Sequence, residues 1–529
     1  MMAARRRYPI GIQTFSEISR GGYLYVDKTD LVWQLQDYAK YIFLSRPRRF
    51  GKSLLTSTLE AYFQGEKELF EGLKIMELEQ EWRQYPVLRL DLSTAKGNHT
   101  VDELRRALSF ILAPYESVYG SNPMEHTPGQ KLMGLIHRAY KQTGQQVVVL
   151  IDEYDAPLLE VLHEHEQLEA MRNVMQEFYV QLKANERYIR FCFITGITRL
   201  SQMNIFSALN NLTNISLQPQ FANLCGISEA ELDAMFQPDI KMMAKEYGCS
   251  VEDMKRRLKL RYDGYRFSWK SPDIYNPYSL LSAFANQTIR NYWFETGTPS
   301  FLIKMMRKFH YDITQMDNIE STDYAINRPT EAMTTMIPLL YQSGYLTIKD
   351  YDREAEIYTL SMPNLEVRIG YADGLLPTYA GLEGEDVQAG FALKFWRALK
   401  QRDIDLAMRE MQAYLASIPY IEGFKRKLAD AATAEGFYEY TLYLIFSMLN
   451  VYVRTQVKVA GGRIDMVVHM PDTVYVLELK TRGTAQEALE QIDSHSYAIP
   501  YDTDGRQVVK VGCRFNVDRR TLEDWVTES

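Results

Sequence analysis

Cysteine is scarce: the 529 residues contain 4, at Cys192, Cys225, Cys249 and Cys513, and no C-x-x-C pair. This spacing argues against a disulfide framework and a zinc ribbon, and fits a reducing, cytoplasmic setting. No apolar run reaches the roughly 18 residues that span a bilayer, so neither a membrane helix nor a membrane partner is expected. The opening Met1-Met-Ala-Ala-Arg-Arg-Arg7 has a basic flank but no apolar stretch behind it, so no secretory signal is read. Low-complexity tracts and internal repeats are missing too. Net charge is −8, so the chain is no bulk polycation, and nucleic acid would have to meet a local basic surface. What remains is ordinary globular composition, 46% hydrophobic and 24% charged, in a chain too long for one core.

The pattern along the chain predicts an α/β multidomain protein. Residues 1–220 alternate short apolar runs with helical stretches, as a parallel sheet requires. The runs are Tyr41–Ser45, Val87–Asp91, Val147–Ile151 and Ile189–Ile194, with Thr213–Leu217 as a fifth candidate. Residues 221–325 read as a helical lid region. Residues 326–370 read as a winged-helix-like module, an apolar helix over Met333–Tyr345 followed by a hairpin, and packing suits it better than a nucleic-acid-contacting wing. Residues 371–430 read as a helical connector, and 431–529 return to mixed α/β.

The strand at 41–45 runs straight into Arg46, Pro47, Arg48, Arg49, Phe50, Gly51, Lys52 and Ser53, and then into a helical stretch. Strand, loop and helix in that order give the GxxxxGK[ST] spacing its meaning as a phosphate cradle for ATP. Lys52 is placed to reach the β- and γ-phosphates and the Ser53 hydroxyl to hold Mg²⁺. One position departs from the pattern, because Arg46 stands where the first glycine belongs. Arg46, Arg48 and Arg49 are read as phosphate contacts. The run 147–151 ends in Asp152-Glu153, a Walker B pattern: the aspartate holds Mg²⁺ and the glutamate polarises the attacking water. The strand at 87–91 between these motifs points to the additional-strand, catalytic-glutamate class of P-loop NTPases. Thr195 is the first choice for sensing the γ-phosphate, and Arg199 is a candidate for charge stabilisation.

Near the C-terminus, two alternating runs joined by Pro471-Asp472 form a hairpin carrying Asp465, Glu478 and Lys480. Alternation puts Glu478 and Lys480 on one face, and the hairpin brings Asp465 beside them. Two carboxylates can hold Mg²⁺ or Mn²⁺, and a lysine can position the attacking water for phosphodiester cleavage. This D-x12-E-x-K spacing resembles that of the PD-(D/E)XK nucleases. Upstream, a helical stretch over 435–448 offers Glu435 and Glu439. Downstream, the capping box Thr484-Ala-Gln-Glu487 opens a helix carrying Gln491, with Tyr497 unable to share Gln491's direction unless that helix has ended. His163 and His165 read as a solvated surface pair, and His469 as a strand-end residue.

The whole chain resembles bacterial proteins with an N-terminal predicted AAA-ATPase-like domain and a C-terminal PD-(D/E)XK nuclease-superfamily domain. The likeness runs through Tyr8–Phe15, Tyr23–Thr29, Ser45–Ser53, Leu150–Asp155, Thr195–Arg199, Tyr262–Phe267, Tyr275–Pro277, Gly461–Asp465, Leu477–Lys480, Ala488–Gln491 and Tyr497–Ala498. In such proteins arginine at the position of Arg46 is the usual variant. The resemblance implies a restriction-endonuclease-like C-terminal fold, Glu435 as the helix carboxylate that joins Asp465 and Glu478 at the metal, and Gln491 lining the site. It also implies ATP and Mg²⁺ as cofactors and nucleic acid, DNA before RNA, as partner. A homo-oligomer is compatible with it. It supplies no biological role; defence or mobile-element biology is an inference from architecture. A regulatory switch that binds without cutting is the alternative.

Overall fold

The computed structural model describes residues 6–529 apart from 160, 163, 199–210, 295–301, 303–304, 307–308, 310, 312–315, 328–334, 381–384, 418–430, 449–451, 460, 471, 503–504 and 520. The chain divides into two compact units. The first is drawn from the chain up to Asn364 and the second is Leu365–Ser529.

The first unit is built on a parallel sheet of β1 (Tyr41–Ser45), β2 (Val87–Asp91), β3 (Val147–Asp152), β4 (Ile189–Gly196) and β5 (Thr213–Asn214). Its order is β2-β3-β4-β1-β5, so β4 is inserted between the strand that feeds the loop at 46–51 and the strand that ends in Asp152. Every residue of β1 and β3 is buried, which explains why both read as unbroken apolar runs. The fifth strand is shorter than its sequence suggests, two residues paired with Ile42 and Phe43. Helices Lys52–Phe63, Val101–Tyr119, Pro128–Thr143 and His165–Ala184 make up the crossovers. Two of them open with complete capping boxes, Thr100 with Glu103 and Thr127 with Gln130, each worth about 1 kcal/mol.

The region after 221 is helical as expected, with Glu229–Met235, Gln237–Glu246, Val251–Tyr262 and Pro277–Asn286 around one apolar core. It also holds a short antiparallel pair the sequence did not announce, β6 (Ile227–Ser228) with β7 (Ile274–Tyr275). The N-terminal segment is tied to this region. Lys28 bridges to Glu231 at 2.5 Å, and Arg6 meets Asp239 at 2.8 Å. Farther on, β8 (Ile319–Thr322), β9 (Thr347–Asp352) and β10 (Ile357–Ser361) form a three-stranded sheet in the order β8-β10-β9. Helix Ile337–Gln342 precedes the β9–β10 hairpin; the expected helix begins inside 328–334, outside the described residues. The β9–β10 hairpin exposes Asp350, Asp352, Arg353 and Glu354.

The second unit opens with helices Leu365–Ala380, Glu385–Lys400 and Ile404–Ser417. Helix Ala431–Met448 then leads into β11 (Tyr452–Val459), β12 (Gly462–His469), β13 (Thr473–Lys480), helix Ala485–Ser494, β14 (Gln507–Asn516) and β15 (Thr521–Glu528). These strands make one sheet in sequence order, with β13 and β14 parallel and the other pairs antiparallel. A parallel neighbour needs a crossover, and helix Ala485–Ser494 supplies it. It lies close on the sheet at Gly512, where a Cβ would fall 2.2 Å from the Ala485 carbonyl oxygen. All four cysteines, which lie among the described residues, are free thiols. Among the described residues no helix is long and apolar enough to cross a membrane.

Candidate functional site

The loop at 46–51 turns through two left-handed residues, Arg49 (φ 64) and Gly51 (φ 86), and delivers helix Lys52–Phe63 with its free N–H groups facing the loop. Lys52 is buried, and its Nζ donates to the carbonyls of Arg46 and Pro47, 3.0 Å each. An ammonium folded over its own loop stands where an anion held by that loop would take it. At the end of β3, the Ser53 hydroxyl lies near the Asp152 carboxylate. Burial pushes the Asp152 carboxyl above its ordinary range, while Ser53 and Lys52 pull it back. Glu153, at φ 49, is likewise raised by burial, opposed by Lys52. A hydroxyl and a carboxylate meeting beside a lysine are hard oxygen donors, the set that suits Mg²⁺ bound with phosphates.

Arg46 does something other than the phosphate contact read from sequence. Its guanidinium is buried and donates to the carbonyls of Ser45 at 2.9 Å, Ser216 at 2.8 Å and Phe221 at 3.2 Å, and it lies 4.1 Å over the Phe267 ring. The neighbouring loop residues also face the later segments of the first unit. A Cβ on Gly344 would fall 2.6 Å from Pro47; the Trp293 indole donates to the Arg48 carbonyl at 3.2 Å; Arg49 covers Tyr278 at 3.8 Å; Phe50 packs edge-on to Tyr265 and Phe267. Thr195 is fully buried, and its hydroxyl donates to the Leu44 carbonyl at 2.9 Å, joining β4 to β1. Arg199 and His163 lie outside the described residues.

Sequence reasoning gave no role to Asp155. It is buried and accepts from the N–H of Ile197 at 3.1 Å and from both N–H and hydroxyl of Thr198, at 2.6 and 2.7 Å. Gly196 must be glycine, because a Cβ there would sit 2.5 Å from both Asp155 and Tyr154. The two motifs Asp152–Asp155 and Thr195–Thr198 are therefore one construction, with the turn after β3 clamped onto the end of β4. Asp91 is a further omission: it pairs in register with Asp152 and caps the turn after β2.

In the second unit the hairpin pairs Met466 with Leu477, so the adjacent Asp465 and Glu478 stand side by side. Leu479 N–H donates to the Asp465 carboxylate at 2.9 Å, and Glu478 approaches the Asp465 N–H at 3.5 Å. Lys480 donates to the side-chain Oε1 of Gln491, and the Gln491 Nε2 donates to Glu478. Asp465, Glu478, Lys480 and Gln491 therefore converge, although Glu478 is only 2% exposed. Helix Ala485–Ser494 opens with the expected Thr484 and Glu487 box, then ends before Tyr497, whose hydroxyl accepts from the Arg463 N–H at 3.2 Å.

Glu435 lies in helix Ala431–Met448, but its side chain is outside the described residues. Glu439, one turn on, accepts at 2.8 Å from Gln456, whose amide also approaches Asp465 at 3.5 Å. Neither Gln456 nor this link was legible in the sequence. His469 is remote from the cluster, next to Arg506 and packed on Tyr501. Among the described residues no three His, Cys, Asp or Glu side chains are close enough to hold a metal unaided. The two strand carboxylates nonetheless offer the hard oxygen donors Mg²⁺ or Mn²⁺ prefers.

Comparison with known proteins follows the same division. Residues 9–206 match the family described as Predicted AAA-ATPase, and residues 433–525 match the PD-(D/E)XK nuclease superfamily. A protein of Azotobacter chroococcum mcd 1, described as "Uncharacterized protein in vnfD 5'region", is 32% identical over 532 residues, covering 99% of each chain.

Proposed function

This chain belongs to the family that joins a predicted AAA-ATPase to a PD-(D/E)XK nuclease-superfamily domain, and from that premise we propose an ATP-hydrolysing protein whose nucleotide state gates a Mg²⁺-dependent nuclease acting on nucleic acid. The observation that carries the nuclease half is the continuous chain Lys480–Gln491–Glu478 with Asp465 alongside.

In the first unit, the loop N–H groups and Lys52 hold and neutralise the phosphates, and Glu153 orients the attacking water. In the second, Asp465 and Glu478 hold the cation, Lys480 positions the water, and Gln491 fixes the lysine and the glutamate together. The cation, when bound, supplies a lowered water pKa and stabilises the charge on the phosphate. The gate rests on the loop's own contacts. Residues 46–50 touch Phe267, Gly344, Trp293, Tyr278 and Tyr265, so a loop that tightens on phosphates pulls on those segments. DNA is the favoured substrate, and a part in defence or mobile-element biology is an inference from architecture.

The test is cleavage of mixed plasmid, linear and single-stranded DNA with Mg²⁺ or Mn²⁺, with and without ATP, beside Lys480→Ala. Cutting that needs Lys480 and responds to ATP is the expected result. A regulatory switch that binds without cutting is the second reading, favoured by Glu478, which is 2% exposed and already bonded to Gln491. ATP hydrolysis with no cleavage under any condition would select it.

A further inference from the structure

Strand β11 is regular on either side of one residue. Thr455 pairs with Met466 and Val457 with Ile464, but between them Gln456 takes a left-handed backbone, φ 50, opposite Asp465. A side chain in mid-strand rarely adopts that conformation, and strain of this kind persists only where the surroundings impose it. Its amide points to what imposes it. Gln456 Nε2 donates to Glu439 of helix Ala431–Met448 and approaches Asp465 of β12, so one neutral amide joins carboxylates from two elements. Its Oε1 is enclosed and makes no hydrogen bond to any described residue.

Two carboxylates facing one another repel unless a donor or a cation lies between them. We infer that Gln456 is a positioning residue of the cation site: from its strained place in β11 it ties Glu439 to Asp465 and sets their separation. Cation affinity then depends on a residue outside the D-x12-E-x-K spacing. The inference rests on the cation-dependent reading of this site. It goes beyond that reading in naming the residue that couples a second carboxylate of the helix, Glu439, to the strand carboxylate Asp465.

The test is calorimetric titration of the metal-free, full-length protein with MnCl₂ in the absence of nucleic acid, so that binding and not cleavage is measured. Gln456→Met keeps the length of the side chain and removes its hydrogen bonds; affinity should fall about 10–100-fold. Gln456→Gly relieves the backbone and also removes the amide, and should show the same loss with no drop in melting temperature beyond that of Gln456→Met. Gln456→Glu adds a charge beside the cation and should bind Mn²⁺ at least as tightly as the parent. Parent-like affinity in Gln456→Gly or Gln456→Met, or a Gln456→Glu variant as weak as Gln456→Met, overturns the assignment of Gln456 alone. A parent protein that takes up no Mn²⁺ overturns the cation reading of the whole site, and the assignment with it. Circular dichroism checks that each variant is folded, and the glutamate variant keeps the test decisive if the methionine one is not.

Discussion

The loop at 46–53 and the acidic cluster at 465–491 are built by opposite means. The first presents main-chain N–H groups from a fixed turn, and nearly every side chain around it already has a protein partner: Lys52 on loop carbonyls, Arg46 on three more, Thr195 on Leu44, Asp155 on Thr198. The second presents side chains on neighbouring strands and the helices beside them that bond mainly to each other, Lys480 to Gln491 to Glu478, and Glu439 to Gln456. A main-chain site is fixed by the fold and tolerates little change around it. A side-chain site is held by its own members, so its geometry can shift when a cation or a phosphate arrives.

The largest effect should come from Lys480→Ala, which should cut the cleavage rate about 10²–10⁴-fold while leaving ATP hydrolysis intact; loss of both would mean the two sites are not separable. Lys52→Ala removes a charged donor to phosphate and should weaken ATP binding by at least about tenfold, measured by equilibrium titration with a fluorescent nucleotide.

The contrast extends to stability. Asp155→Ala strands the buried donors of Ile197 and Thr198 and should cost roughly 2–4 kcal/mol in urea unfolding of the first unit. Asp263, also in the first unit, is 2% exposed, and burial raises its carboxyl from the ordinary 3.8 to about 6, with the Gly264 N–H opposing and Asp273 adding to the rise. A folded-state value above the unfolded one means the fold binds more protons between those limits. Stability therefore falls as pH rises through that window, and the full penalty, at most about 3 kcal/mol, is present at neutral pH. Asp263→Asn should raise the melting temperature at pH 7.5 and leave it nearly unchanged at pH 3.5; equal gains at both would show that ionisation is not the cause. The smallest effect belongs to the second unit: Asp465→Asn keeps an acceptor for the Leu479 N–H and removes a charge beside Glu478, so the metal-free protein should lose no more than about 0.5 kcal/mol.

How much of this was legible in the sequence follows the same divide. The phosphate loop is contiguous, and Gly51-Lys52-Ser53 after a buried strand could be placed at once. Asp465, Glu478 and Lys480 were readable because strand alternation fixes their faces. Residues whose partners are distant in the chain escaped. Arg46 stands where a phosphate contact is expected, yet its carbonyl partners lie at Ser216 and Phe221, far along the chain. Asp155 needed Thr198, Gly512 needed the helix that lies on it, and Gln456 needed a backbone angle that no residue type signals. The strand between the two motifs in sequence, Val87–Asp91, lies at the sheet edge, and it is Ile189–Gly196 that enters between the motif strands; the short pair Ile227–Ser228 with Ile274–Tyr275 is too brief for any periodicity to reveal.

The most direct measurement is the rate of DNA cleavage with saturating Mn²⁺, with and without ATP, in the parent protein and in Lys52→Ala. If nucleotide state gates the nuclease, ATP changes the rate of the parent and has no effect on the variant. Equal rates with and without ATP in the parent, matched by the variant, would contradict the gate and leave two independent activities in one chain.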